Sequence, residues 1–274
     1  TEYTDLFDKS TSRKAWEEDY GTSMFGLASV KTEGSSIAYD TAQQGYRQRY
    51  QHVTYGLGFV ITKEMVDDDL YDVIGKKRAQ ALAFSMRQTK EVVGANVYNN
   101  AFDDTNYPQP DGKAILDTAH PNIAGGTWDN ITTAATLSEG TLEDLSIDIM
   151  QATNHRGLNI ALIPQVLIIP PALVYEADRI LNSPLRVGTS DNDLNALRSM
   201  GKFPGGVKVN HYLTSDTAYF IRTNCPDGCK YIEREGDSFT ADNDFDTENA
   251  KFKAMGRYSF GVTDARGLYG NAGA

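Results

Sequence analysis

The period of the hydrophobic pattern changes along the chain. From Tyr46 to Tyr55 it is two. Tyr46, Gln48, Tyr50 and His52 fall on one face of an extended strand, and Arg47, Arg49, Gln51 and Val53 fall on the other. With Ser35 to Tyr39 leading into a turn at Gln43-Gln44-Gly45, residues 35–62 read as a long β-hairpin. Neither face is apolar enough to cover a core, and an isolated hairpin is marginal in water. The pattern therefore predicts a hairpin lying on another chain, against the blander reading of an edge ribbon on its own domain. Residues 1–34 are mixed: a short helix over Ser12 to Tyr20 carries Trp16, and Gly21, Gly26 and Gly34 break the remainder of the segment into an extended arm.

Beyond Thr62, placed as an N-cap with acids close behind it, the period becomes helical. Leu70, Val73, Ile74, Ala81, Phe84, Val92, Ala95 and Tyr98 recur at threes and fours, with polar lapses at Lys77 and Gln88. Gly75 and Gly94 each cost about 1 kcal/mol relative to Ala without ending the helix. From Leu70 to Phe102 it would span roughly 50 Å, a rod-like spine. Residues 103–136 then lose periodicity for longer than a simple connector does. Residues 137–224 read as a compact α/β unit. Leu142, Leu145, Ile149 and Ala152 form one helix face, and Val166 to Ile169 a buried strand. Pro170-Pro171 open a helix with a stripe of Leu173, Val174, Ala177, Ile180 and Leu181. A short helix comes next over Asp193 to Met200, then strands at Val207–Val209 and Ala218–Ile221. The last residues are β-rich, with strands at Lys230–Arg234 and Ala250–Val262 flanking an acidic stretch from Asp242 to Glu248.

Composition narrows the classes. The chain has 274 residues, 40% of them hydrophobic, enough for a sizeable core. Its 37 acids against 26 basic residues give a net charge of -11, which argues against a dedicated nucleic-acid binder and against attachment to anionic lipid. No apolar run approaches the roughly 18 residues of a membrane span. The polar N-terminus, Thr1 to Tyr20, shows no signal peptide.

Candidate chemistry is sparse. Cys225 and Cys229, in Cys-Pro-Asp-Gly-Cys, read as reduced thiols in a turn shaped by Pro226 and Gly228, ahead of a disulfide or half a metal site. No phosphate-cradling glycine loop and no nucleophile elbow appears. His120 beside Asp117 suggests an acid–base pair, but no nucleophile is indicated. Asp242, Asp244 and Asp246 begin like a calcium loop, yet Thr247 and Lys253 stand where that pattern needs Gly and Glu. The alternatives weighed are thus a calcium-dependent tail or adhesion module and an intracellular hydrolase. The reading expects no catalytic residue, metal or cofactor. The hairpin's Tyr46, Arg47, Arg49, Tyr50 and His52 are candidate interface residues, because Tyr and Arg dominate protein–protein hot spots. Asp67, Asp68, Asp69, Asp242, Asp244 and Asp246 are candidate interface acids.

Three stretches carry a family resemblance: Gln51-His52-Val53-Thr54-Tyr55-Gly56-Leu57-Gly58-Phe59-Val60-Ile61-Thr62-Lys63-Glu64-Met65-Val66-Asp67-Asp68-Asp69, Leu167-Ile168-Ile169-Pro170-Pro171-Ala172-Leu173, and Phe260-Gly261-Val262-Thr263-Asp264-Ala265-Arg266-Gly267-Leu268-Tyr269-Gly270. In this order they resemble tailed-phage major capsid proteins with the Hong Kong 97-like fold, in particular the Mu-like major head subunit group. The resemblance implies an α+β architecture. Residues 1–34 would be an N-terminal arm and 35–62 the extended E-loop. Residues 63–136 and 225–274 would form the P-domain of spine helix and β-sheet, and 137–224 the A-domain. It implies self-assembly, as hexamers and pentamers, into an icosahedral shell enclosing double-stranded DNA. Portal, scaffolding and decoration proteins would be partners. The place is the virion, with assembly in the host cytoplasm. Some members crosslink a hairpin Lys to a neighbour; the nearest Lys here is Lys31, outside the expected tip, so that chemistry is not carried over. The chain is too short at its N-terminus for a large scaffolding region, which implies a separate scaffold or removal before Thr1. On this reading the basic clusters, Arg47/Arg49 and Lys76/Lys77/Arg78, face neighbouring subunits more than the lumen.

Overall fold

The structure, a computed structural model, describes residues 1–68, 71–186 and 194–274, with only the backbone of 71–74. In chain order its elements are α1 (Tyr3–Leu6), β1 (Asp8–Thr11), β2 (Trp16–Thr22), β3 (Gln44–Gln51), β4 (Val53–Ile61), α2 (Lys63–Asp67), α3 (Tyr71–Asn99), β5 (His120–Pro121), β6 (Thr127–Trp128), α4 (Glu139–Gln151), β7 (Pro164–Ile169), α5 (Val174–Asn182), α6 (Ala196–Met200), β8 (Val207–Val209), β9 (Tyr219–Thr223), β10 (Cys229–Asn243), β11 (Ala250–Val262) and β12 (Leu268–Asn271). They form two compact units. One comprises Thr1–Glu17, Arg49–Val97 and Lys230–Gly261, the other Glu18–Gln48, Tyr98–Cys229 and Val262–Ala274. Among the described residues no helix is long and apolar enough to cross a membrane.

The first unit is built on a four-stranded sheet in the order β1-β10-β11-β4. β1 runs parallel to β10, Asp8 opposite Lys230. β4 runs antiparallel to β11, from Ala250 opposite Ile61 to Tyr258 opposite Val53. Within the segment expected to be an extended arm, residues 3–22 instead carry regular structure, while 23–34 form neither helix nor strand. Residues 3–22 supply α1, the sheet strand β1 and β2, and the helix expected around Trp16 is a strand. Acceptors for the open N-terminus of α1 come from a distance: the buried Glu91 carboxylate accepts from the Glu2 and Tyr3 backbone N–H groups, each at 2.9 Å.

Helix α3 has 29 residues and spans about 44 Å. Its buried stripe is Leu82, Met86, Lys90, Ala95 and Tyr98, and Leu82 and Met86 pack with Ala254 and Phe59. The expected stripe is thus rotated. Ala95 and Tyr98 are buried as predicted, but Ala81, Phe84 and Val92 are exposed, Phe84 at 54%. The side chains of Val73 and Ile74, and all of Leu70, lie outside the described residues. Lys90 explains the error. Its ammonium meets Asp237 at 3.0 Å and lies 5.1 Å from the centre of the Tyr258 ring, so a lysine occupies the middle of the core-facing stripe. Thr62 holds the N-cap backbone position of α2, but its side chain makes no capping bond.

The second unit is built on a sheet in the order β12-β9-β7-β8. β7 pairs parallel with β8 and antiparallel with β9, and β12 adds antiparallel to β9. The expected helix faces pack on it: Leu142, Leu145 and Ile149 of α4 and Ala152 just past its end, with Ala177 and Ile180 of α5, surround Leu167 and Ile169. The expected edges differ. β12 joins this sheet from the chain's end, and residues 103–136 also belong to this unit, whereas the resemblance implies the P-domain for both. A four-residue strand such as β12 carries too little pattern to reveal its partner.

Candidate functional site

β2 and β3 pair as a two-stranded ribbon. Its outgoing limb is β2, and Ser35 to Tyr39, expected to be that limb, form no strand. Gly45 is likewise no turn residue. A Cβ there would lie 2.8 Å from both the Gly21 carbonyl oxygen and Ile123 Cδ1, so the glycine allows the two limbs to approach.

The ribbon separates the five hairpin candidates. Tyr50 and His52, 2% and 3% exposed, are core residues and offer no surface to a partner. Tyr50 lies under Gly261, where a Cβ would come within 2.8 Å of its ring. His52, the single residue between β3 and β4, places Nδ1 3.0 Å from the Ser259 hydroxyl. Its Nε2 is buried without a hydrogen-bond partner among the described residues. The other three remain accessible, but each already has neighbours in its own chain. Arg47 pairs with Glu18 at 3.3 Å, Arg49 lies 4.1 Å over the Trp16 ring, and Tyr46 lines a recess with Asp111, Trp128, His155 and Arg266.

Residues 23–43, between β2 and β3, form an irregular loop. Phe25, Leu27, Val30, Ile37 and Tyr39 are all exposed in it, Leu27 at 83%, Val30 at 93% and Tyr39 at 96%. Each such side chain gains roughly 1.5–3 kcal/mol on full burial. An exposed ion pair contributes roughly 0–1 kcal/mol. The loop's apolar side chains therefore outweigh the ribbon's arginines as a driving force for association. Sequence reasoning missed them because it sought a strand pattern, although their apolar spacing between polar residues was visible.

The acids divide as well. Asp67 and Asp68 are exposed around the end of α2, and Asp69 lies outside the described residues. Asp242 is exposed at the end of β10 and accepts from the Asn243 backbone N–H at 2.9 Å. Asp244 pairs with Lys251 at 2.6 Å, Glu248 pairs with Lys63, and Asp246 is exposed beside Phe245, itself 95% exposed. Two acids of this turn are thus engaged with lysines of their own unit. Among the described residues no group of three or more His, Cys, Asp or Glu side chains is placed to hold a metal ion. Of the basic cluster on α3, Lys76, Lys77 and Arg78 are exposed, and Arg78 donates to the Val60 carbonyl at 2.9 Å.

The buried polar groups of the second unit brace its loops. His120 pairs with Asp111, at 2.7 Å, and not with Asp117, which instead accepts from the Ala119 backbone N–H. The other ring nitrogen of His120 faces Asn130 Oδ1 at 3.2 Å, and the ring stacks on Trp128. Burial opposes the charge on Asp111, but His120 and the Lys113 N–H hold its carboxyl below the usual range. Arg266, 2% exposed, stands in a resemblance motif that assigns it no role. Its guanidinium donates to the Thr153 carbonyl at 2.7 Å and Asn122 Oδ1 at 3.1 Å, and lies 4.1 Å over the Trp128 ring. It ties three distant segments together. Cys225 and Cys229 are both buried, and burial pushes the Cys225 thiol up.

This geometry is that of a braced scaffold carrying an apolar loop. A family of phage capsid proteins matches residues 45–271. No curated protein matches the sequence. Among solved structures, the capsid of a native GTA particle is similar at a TM-score of 0.62 and 11% identity, covering 98% of this chain and 89% of that one. A chain of Mycobacterium phage Adephagia is similar at 0.59 and 12%, covering 100% and 90%. The capsid of Myoviridae Phage XM1 is similar at 0.54 and 11%, covering 96% and 86%. At such identities the likeness shows the fold, which is the Hong Kong 97-like fold. With that fold and a family match over most of its length, the chain belongs to the phage capsid protein family.

Proposed function

We propose that this chain is the major head subunit of a tailed phage, self-assembling as hexamers and pentamers into an icosahedral shell around double-stranded DNA. Its function is binding, with no chemical turnover. Closed symmetric assembly lets individually modest contacts sum to a stable shell. The observation that carries the reading is the loop at residues 23–43, whose large apolar side chains, Met24 among them, are exposed in the single chain. In the shell that loop, with Tyr46, Arg47 and Arg49 on its ribbon, lies on a neighbouring copy. The exposed acids Asp67, Asp68, Asp242 and Asp246 face neighbours too. Scaffolding, portal and decoration proteins are its other partners, and assembly precedes packaging in the host cytoplasm. The net charge of -11 keeps the wall from gripping the packaged DNA, by like-charge repulsion.

Replacing Leu27, Val30 and Tyr39 together with Ser tests this. The single chain should keep its circular dichroism, because these side chains bury almost nothing in it. Assembly followed by sedimentation should be lost or need at least ~10-fold more protein. Unchanged assembly would refute the role of the loop.

A further inference from the structure

The same loop is tied off at its neck. The Ser23 N–H donates to the Gln43 carbonyl at 2.9 Å, and the Gln43 N–H donates back to the Ser23 hydroxyl at 2.8 Å. The Gly26 N–H then donates to Asp40 Oδ2 at 2.8 Å. Arg156, in the second unit like the loop, reaches the same carboxylate with its fork: Nη1 lies 2.6 Å from Oδ2 and Nη2 3.3 Å from Oδ1. Nη2 also donates to the Thr41 carbonyl at 2.6 Å. One guanidinium thus holds a side chain and the backbone of the returning limb. The fit is close, since a Cβ on Gly26 would lie 3.1 Å from Nη1 and 3.3 Å from Asp40 Oδ2. Arg156 is itself anchored, its N–H donating to the buried Asn154 side chain at 2.8 Å. The Arg156 and Gly26 bonds hold the Asp40 carboxyl at about 2, so it stays ionised at neutral pH.

An exposed pair adds little stability, so the geometry has to matter for another reason. The clamp buries none of Leu27, Val30 or Tyr39. It does not mask the loop; it restricts how the loop is presented. Ordering a free loop at the moment of docking opposes association, and a loop held in advance avoids that cost.

We propose that Arg156 is a positioning residue for assembly, clamping the loop neck through Asp40 and Thr41 so that the apolar side chains meet a second copy of this chain already arranged. This rests on the self-assembly reading. The test pairs hydrogen exchange on the unassembled chain with the concentration at which it assembles, for wild type, Arg156→Ala, Asp40→Ala and the double variant. Each single variant should raise amide exchange at the hydrogen-bonded neck amides of Ser23, Gly26 and Gln43 by at least ~5-fold, leaving α4 and β7 protected. Each should raise the assembly concentration several-fold, and the double variant should be no worse than either single one. Exchange unchanged from wild type, or faster exchange with wild-type assembly, would overturn the proposal. Asp40→Ala removes the clamp from the loop's side, so it decides the matter even if Arg156→Ala folds poorly. A wild-type chain that never assembles would contradict the self-assembly reading instead, and loop exchange would still decide whether the clamp exists.

Discussion

His52 shows how a residue can be correctly placed and wrongly interpreted. Its position in an alternating strand was readable; its burial was not, because the strand it faces, β11, lies some two hundred residues away in the chain. Burial and the charges of Arg257 and Arg234 hold its pKa below that of a free imidazole, with Glu17 opposing. Burial and Arg266 do the same to His155. The sign is set by linkage. The share of stability owed to the neutral rings is whole above the unfolded value of about 6.5. It is lost as pH falls from there through the depressed folded values. The melting temperature should therefore drop as pH falls below about 6.5, and His52→Gln should flatten part of that drop. An identical slope in the variant would show that His52 carries none of it. Lys90 teaches a related lesson, since a pattern that counts only apolar residues cannot see a core position filled by a lysine whose charge is met by Asp237 and tyrosine rings.

Among elements, the ones legible in the sequence were those whose period is local. Helix α4 with its buried face, strand β7, the Pro-led start before α5 and the bounds of β11 all derive from a few consecutive residues. The ribbon was half legible. β3 was found, but its partner β2 lies across the loop rather than across a tight turn, and no local signal spans that distance. β12 was missed for the same reason. The ribbon's arginines lose rank in consequence. Replacing Arg47 and Arg49 together with Glu removes the pairing with Glu18 and the stacking on Trp16, each about 0.5–1 kcal/mol. Assembly should weaken, less than with the loop's Leu27, Val30 and Tyr39 replaced by Ser, while the single chain's circular dichroism stays unchanged. Equal or greater loss in the arginine variant, read by sedimentation of both in parallel, would restore the ribbon to first place.

For the molecule as a whole, the family was legible because its motifs stand in order along the chain, although identity to the similar solved structures is only 11–12%. The assembly surface was not, since a loop without periodicity shows its role only through exposure. Net charge acts at this scale too. The purified chain should bind duplex DNA weakly at physiological salt, and tight binding that collapses with added salt would contradict the repulsion argument. The central claim is that the exposed apolar loop is covered by another copy. A cryo-electron microscopy reconstruction of particles assembled from the purified chain addresses it most directly. It should show closed shells in which residues 23–43 lie against a neighbouring subunit, with Leu27, Val30 and Tyr39 buried there. Shells in which those side chains still face solvent, or a chain that forms no particles under any assembly condition, would contradict it.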